Sequence, residues 1–370
     1  MTSIVDSILN AISFINIDIN ILLIFAIVVP GLLLFILMAL NVMLSVYFER
    51  KVAAFMQDRL GPMEVGIFGF KGGKKFWGGI GQIFADTVKL LTKEDIMPAN
   101  ADKVLMLVSP FIIVAGALLT FIGIPFSDGL IVSDFNIGIL YIIAMSSVGV
   151  IGVILAGWSS NNKWSLYGAM RSAAQIISYE IPIGLNLLLI VIVCGSLQVS
   201  DIVQWQAENR WFIFHSPFTF VAFFIFFISV VAETNRTPFD IPEAESELVA
   251  GWMTEFSGFK WSIFFMSEYA NMLIVSLVAS FVFLGGWLSP FTIINIFPDS
   301  WLILDGFYIG IFWLLIKALF LVFVMMWFRW TFPRLRVDQL MYICWKVFIP
   351  FSLANLFFVT IWELIAGAIS

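Results

Sequence analysis

Eight stretches of this chain are each apolar over about the 20 residues that a helix needs to cross a hydrocarbon layer: 21–46, 104–126, 137–158, 176–197, 211–232, 263–288, 307–328 and 347–368. No other feature limits the fold so severely. Inside a bilayer every backbone polar group must be satisfied within the protein, which leaves helices or a closed barrel, and runs of this length suit helices. A shorter apolar piece, 291–304, is interrupted by Pro298 and Asp299 and reads as an interfacial loop. A soluble alternative is excluded by composition. With 61% hydrophobic and 12% charged residues, the chain has about half the charge of a typical soluble domain.

Basic residues orient the spans. Of the nineteen Lys and Arg, seventeen fall in 48–103, 159–175, 233–262 and 329–346, which alternate along the chain with acidic connections almost free of Lys and Arg. The positive-inside rule puts these four segments on the inner side. Only Arg210 lies on the other side, and Lys317 lies within the seventh span. The expected fold is therefore all-α: a polytopic membrane protein with eight transmembrane helices and both termini on the outer, periplasmic side. No internal repeat or low-complexity linker divides 1–370, so the chain reads as one membrane domain. Its first 20 residues carry no Lys or Arg, unlike the basic start of a signal peptide.

The inner segments are too long for simple connectors. From Gly61 to Gly81 inclusive there are eight glycines, but no G-x-x-x-x-G-K-[ST] arrangement, so a flexible surface loop is expected rather than a phosphate cradle. Further on, Ile83, Phe84, Val88 and Leu91 share one helical face and Asp86, Lys89 and Lys93 the other. That pattern fits an amphipathic helix in the membrane interface or an ordinary packed surface helix. Six carboxylates crowd into 233–255: Glu233, Asp240, Glu243, Glu245, Glu247 and Glu255. They form either a solvated acidic loop or, if buried, a group whose mutual repulsion favours proton uptake.

Charges within the spans tilt the balance. Glu180, Glu233 and Glu268 are expected near one depth at the inner boundary, Glu180 and Glu268 a few residues inside their helices and Glu233 at the end of its own. Acids in a membrane are costly and point to function. Three at one level, above an acidic loop, suggest a proton relay, with Lys317 as counter-charge or as a structural ion pair. Glu363 is expected to reach water and His215 to be a plain interfacial residue. Cys194 and Cys344 match no metal or haem spacing, and one histidine rules out a bis-histidine haem on this chain. Pro30, Pro110 and Pro182 read as membrane-helix kinks.

Five separated motifs then point one way. Glu49-Arg50-Lys51 with Met56-Gln57, Arg59 and Gly61-Pro62, continued by Phe84-Ala85-Asp86, Lys89-Leu90 and Thr92-Lys93-Glu94, form the first. Trp158-Ser159-Ser160-Asn161 leads to Gly168-Ala169-Met170-Arg171 and Ser178-Tyr179-Glu180. Ala232-Glu233-Thr234-Asn235-Arg236, Pro238-Phe239-Asp240 and Glu245-Ser246-Glu247-Leu248 follow. Glu268-Tyr269-Ala270-Asn271 is the fourth, and Pro333-Arg334-Leu335-Arg336 with Asp338-Gln339-Leu340 and Trp345-Lys346 the fifth. In this order, over about 45–350, they resemble membrane subunit 1 (the H subunit in bacteria) of respiratory complex I, the NADH:quinone oxidoreductase. Two departures stand out: 63–80 is longer and richer in glycine than the usual loop, and Val337 stands where many members have Tyr.

The resemblance implies a proton-translocating enzyme complex in a bacterial cytoplasmic membrane, or a mitochondrial inner membrane for an organelle-encoded chain. Quinone is the implied substrate, with NADH, FMN and iron–sulfur clusters on partner subunits and no redox centre or protonating catalytic residue here. Implied partners are the quinone-site and iron–sulfur subunits of a hydrophilic arm, small membrane and antiporter-like subunits, and the lipid bilayer, with no nucleic acid. By the same resemblance Arg50, Arg59, Phe84, Asp86, Arg236 and Phe239 line the quinone tunnel or hold its loops. Glu180, Glu233, Asp240, Glu243, Glu245, Glu247 and Glu268 form the acidic path, to which the reading of the spans adds Lys317. The membrane subunit of an energy-converting hydrogenase, a stand-alone ion-coupled carrier and an inert anchor are the rivals. Against them stand, in turn, the long basic first loop, the missing repeat and the embedded carboxylates.

Overall fold

A computed structural model describes residues 19–66, 78–242, 248–290 and 307–369. Among these residues the chain is helical, with one isolated bridge between Ser127 and Leu130. The helices are α1 (Ile19–Met56), α2 (Gly81–Thr92), α3 (Lys103–Ile122), α4 (Gly138–Ser159), α5 (Lys163–Cys194), α6 (Val199–Glu208), α7 (Phe212–His215), α8 (Pro217–Glu233), α9 (Gly258–Phe283), α10 (Phe307–Thr331), α11 (Val337–Tyr342) and α12 (Ile349–Ile369). A wide-turned π stretch, Ile343–Phe348, joins α11 to α12 without a break.

Among the described residues, seven helices are long and apolar enough to cross a membrane: α1, α3, α4, α5, α9, α10 and the joined α11–α12. The expected fifth span, 211–232, is divided. Ser216 turns the chain into extended backbone and caps α8 reciprocally with Thr219, while Pro217 takes the first helical position. That leaves α8 an apolar helix of 17 residues, about 25 Å long at 1.5 Å per residue.

Three helices run farther at the basic end than their apolar cores predict. Helix α1 continues through Glu49, Arg50 and Lys51 to Met56, α5 starts at Lys163 and α9 at Gly258. Part of each expected inner loop is thus helix, because Glu, Arg and Lys are good helix formers and mark the edge of the hydrocarbon, not a helix end. Real stops are local. Asn162 caps α5 by accepting from the Trp164 N–H, and Gly195 ends it in the left-handed region at φ +77°. Asp102 caps α3 by accepting from Val104 and Leu105.

Contacts between chain ends sort the loops into two groups. At the basic end the Asp102 N–H bonds Ser159 O, and Asn161 Nδ2 donates to Asn100 O at 3.1 Å. At the opposite end the Ile139 N–H bonds Leu197 O, and Gln198 Nε2 donates to Asp134 at 2.6 Å. Helix α9 forms the axis, with nearly every residue from Tyr269 to Phe283 buried. Helix α2 leaves Phe84, Val88 and Leu91 more than half exposed on one face while Ile83 is buried. The apolar face is therefore not packed against this chain, which favours an interfacial helix over an ordinary packed one.

Candidate functional site at the basic end

The last turns of α1 place one charged side chain on a buried stripe. Met38, Ser45, Glu49 and Ala53 recur at helical spacing and are all buried, so the α1 face that packs on α9 carries a carboxylate. Past Met56 the chain reverses through Asp58 (φ +53°) and Gly61 (φ +67°). Lys51 Nζ pins the returning strand by donating to Leu60 O at 3.2 Å and Pro62 O at 2.8 Å. Between this turn, α9 and the end of α10 lies a cavity of about 450 Å³. Its walls are Val46, Glu49, Arg50, Ala53, Arg59, Gly61, Pro62, Phe265, Tyr269, Arg329 and Trp330. Three arginines and a carboxylate share it with aromatic and aliphatic surface, so the space suits a partly apolar molecule that carries hydrogen-bond acceptors.

Glu49 is the hub of the wall. Its Oε2 accepts from Arg236 Nη1 at 3.3 Å and from the Tyr269 hydroxyl, and its Oε1 accepts from Arg329 Nη1. The Arg236 guanidinium also lies over the Tyr269 ring, 4.3 Å from its centre. Burial opposes charge on Arg236, but Tyr269, Glu49 and Glu268 outweigh it and raise its pKa, so the guanidinium stays charged. Asp86 of α2 bonds Arg50 and accepts from Gln82 at 2.9 Å, tying the amphipathic helix to the cavity rim.

A second, smaller space begins one residue along α9. About 60 Å³ in size, it is lined by Glu233, Thr234 and Asn235 at the end of α8, and by Ser267, Glu268 and Asn271 of α9. Trp252 and residues of α3, α4 and α5, among them Ser146, Gly149 and Ile176, close it. At roughly 10–15 Å³ per probe sphere it has room for a few waters. Glu233 and Glu180 interact electrostatically, and Arg236 interacts in the same way with Glu268. The groups Glu49, Arg236, Glu268, Glu233 and Glu180 thus lead from the large cavity into the bundle. Gln175 braces the corner, its amide donating to Ala232 O and Phe239 O at 2.7 Å each. Among the described residues, no group of three His, Cys, Asp or Glu could hold a metal ion.

Residues 11–360 match the family model described as NADH dehydrogenase. Over 322 residues the chain is 50% identical to the NADH-quinone oxidoreductase H subunit of Chlorobaculum tepidum, covering 86% of this chain and 87% of that protein. It is 48% identical over 337 residues to the corresponding H subunit of Bacteroides fragilis, covering 89% and 88%. To that of Magnetococcus marinus it is 46% identical over 311 residues, covering 84% and 83%. The chain belongs to the NADH-quinone oxidoreductase H-subunit family.

Within this member of the family the expected residues separate into groups. Arg50 and Arg59 line the large cavity, with Asp86 bonded to Arg50 and Arg236 behind Glu49. Phe239 is buried against Tyr179, ring centres 6.0 Å apart, and lines neither cavity. Phe84 faces outward. Glu233 and Glu268 share the small cavity and Glu180 adjoins Glu233. Glu180 lies seventeen residues into α5 instead of four, because α5 starts at Lys163. Asp240 instead pairs with Arg334 at 3.1 Å, clipping the loop after α8 to the segment after α10. Glu243, Glu245 and Glu247 lie outside the described residues.

Lys317 contacts the far end of α9 from Glu268. Its ammonium donates to the carbonyls of Leu284, Gly286 and Leu288 at 2.7, 2.9 and 2.6 Å. Leu284 comes sixteen residues after Glu268, about 24 Å farther along the axis of α9. Glu363 is partly exposed and pairs with His215 at 2.9 Å. Glu49, Tyr269 and Arg329 were missed as site residues. The available signal was Glu49 in phase with Met38, Ser45 and Ala53.

Proposed function

We propose that this chain is the membrane subunit of an NADH-quinone oxidoreductase, admitting quinone from the lipid phase and carrying an acidic relay between quinone reduction and proton translocation. The observation that carries the reading is the run of charged groups from the arginine-lined cavity into the bundle, Glu49–Arg236–Glu268–Glu233–Glu180. The uncovered face of α2, with Phe84, Val88 and Leu91, forms the lipid-side lip of the tunnel, and Asp86 holds it through Arg50. Arg50, Arg59 and Arg329 face the quinone. Arg236 and Phe239 hold the loop behind it. The chain forms one membrane domain of eight crossings, α8 included, with both termini outside and the basic end on the cytoplasmic side of a bacterial membrane. The loops at that end dock the quinone-site and iron–sulfur subunits, whose NADH, FMN and clusters supply the electrons.

Arg329 and Arg236 share one carboxylate, so they transmit charge. A negative charge forming in the cavity draws Arg329 away from Glu49, which then holds Arg236 more tightly. Arg236 in turn interacts less with Glu268, and the proton affinity of Glu268 rises. The small cavity lets waters carry that proton between Glu268 and Glu233, and Glu180 takes it onward to antiporter-like neighbours. Glu243, Glu245 and Glu247 feed the path from the loop. Asp240 acts as a clip, and Lys317 stands apart from the relay.

Replacing Glu180 or Glu268 by Gln in the intact complex tests the relay. Reconstituted in vesicles, both variants should assemble normally, lose proton pumping and turn over NADH and quinone more slowly. Full pumping in both would remove the acidic path.

A further inference from the structure

We propose that the last helix positions Glu180 by mending the turn of α5 that Pro182 breaks, with the Cys344 thiol as the replacement donor. The inference rests on the acidic relay proposed above. Pro182 lies inside α5. It has no N–H, so it cannot give Ser178 O the bond that the fourth residue on supplies elsewhere in a helix, and its ring presses on that same carbonyl. The turn from Ser178 to Pro182 contains Glu180. A carboxylate of the relay therefore sits where α5 lacks one of its own backbone bonds.

The replacement comes from another helix. Cys344 Sγ donates to Ser178 O at 3.1 Å, and both residues are buried. The Tyr179 hydroxyl donates to Leu340 O at 3.0 Å, and the Phe348 ring stands edge-on to the Tyr179 ring, 6.2 Å between centres. Beyond Glu180, Asn186 Nδ2 donates to Pro182 O at 2.7 Å and to Ser352 Oγ at 3.1 Å. Leu340, Cys344, Phe348 and Ser352 recur every four residues along α11, the π stretch and α12. At about 3.6 residues per turn such a row winds away from its neighbour. The wide turn of Ile343–Phe348, built on bonds five residues apart, takes up the excess and keeps the row on α5.

A proline kink leaves a helix free to swing unless something else holds the broken turn. Glu180 adjoins Glu233, and a proton crosses only between groups within hydrogen-bond reach, directly or through one water. Any swing of the turn shifts Glu180 against Glu233, so the clasp bears on coupling and not on the fold alone. Cys344 is a positioning residue in this scheme. It acts through the carbonyl of Ser178, two residues before Glu180, and carries no proton of the relay.

The intact complex in proteoliposomes tests this by two readouts, protons pumped per NADH oxidised and hydrogen exchange at the Ile181 and Ile183 amides on either side of Pro182. Cys344→Ala should pump fewer protons per NADH, and the two amides should exchange about fivefold faster, equivalent to about 1 kcal/mol. Cys344→Ser keeps a donor and should match wild type in both. Adding Pro182→Ala to Cys344→Ala returns an N–H to the turn, and exchange should fall back to the wild-type rate. Three results would each overturn the proposal: Cys344→Ala indistinguishable from wild type, Cys344→Ser as impaired as Cys344→Ala, or fast exchange in the double variant. Should Cys344→Ala fail to assemble, the double variant decides, since recovered assembly supports the mended turn and continued failure refutes it. Glu180→Gln is measured beside them. Full pumping there would overturn the relay and the clasp together, whereas lost pumping there with a silent Cys344→Ala would refute the clasp alone.

Discussion

Glu49→Gln removes the one carboxylate that Arg236 and Arg329 share, and its cost can be worked from the geometry. At 3.3 Å and an effective dielectric near 20, the Glu49–Arg236 attraction is about 5 kcal/mol before desolvation. Removing one partner from such a buried pair costs about 3–5 kcal/mol, because the other charge is left in low dielectric. Arg329 is 29% exposed and can turn to water, so its share is about 1 kcal/mol at most. A loss of about 4 kcal/mol falls on the loop that Arg236 anchors. It should raise local opening about a thousandfold at 1.36 kcal/mol per decade. The amides of Arg236, Phe239 and Ile241, bonded to Val231 O, Arg236 O and Phe239 O, report it by hydrogen exchange in the intact complex. Replacing Glu49 and Arg236 together by Met should cost less than either change alone, since no buried charge is then orphaned. Exchange within threefold of wild type in Glu49→Gln, or additive costs in the double variant, would refute the argument.

Other outcomes follow from the same geometry. Arg50→Met removes a lining charge from an ion pair whose arginine is 45% exposed, so it should raise the KM for quinone severalfold while costing under about 1 kcal/mol in stability. Gly81→Ala would set a Cβ 2.2 Å from Gly66 O, backbone that cannot easily yield. Overpacking of about 1–3 kcal/mol should displace the Gly61–Pro62 wall, seen as a KM increase larger than the kcat loss. Arg334→Gln leaves Asp240 buried without its cation, and exchange at Ile241 should speed up about tenfold, for roughly 1–2 kcal/mol. Gly168→Ala would press into the backbone of Gly251 and Trp252 at 2.7 Å, and should lower the yield of assembled complex.

Much of the site was legible as residue types without being legible as an arrangement. Glu233, Glu268 and Glu180 stood out because ionisable groups are rare in apolar runs, and the structure brings them together. The start of α5 was misplaced because charge marks the edge of the hydrocarbon while the helix begins thirteen residues earlier, at a cap made by Asn162. Glu49 stood in view beside Arg50 and Lys51, yet it was counted with the inner segment that starts at 48. Only the continuation of α1 to Met56 turns Glu49 inward and Arg50 toward the rim.

The pattern of apolar runs and basic loops determined by itself that this chain is a helical membrane protein and which end carries the basic residues. Those properties depend on transfer of each segment from water to lipid, a sum over local composition. Which charge meets which was decided only by the tertiary structure. Arg236 and Arg329 reach Glu49 across 187 and 280 residues of chain, and Lys317 meets the carbonyls of Leu284, Gly286 and Leu288 where α9 ends. At a few ångströms and low dielectric these energies hang on side-chain geometry, to which the hydrophobic pattern along the chain is blind.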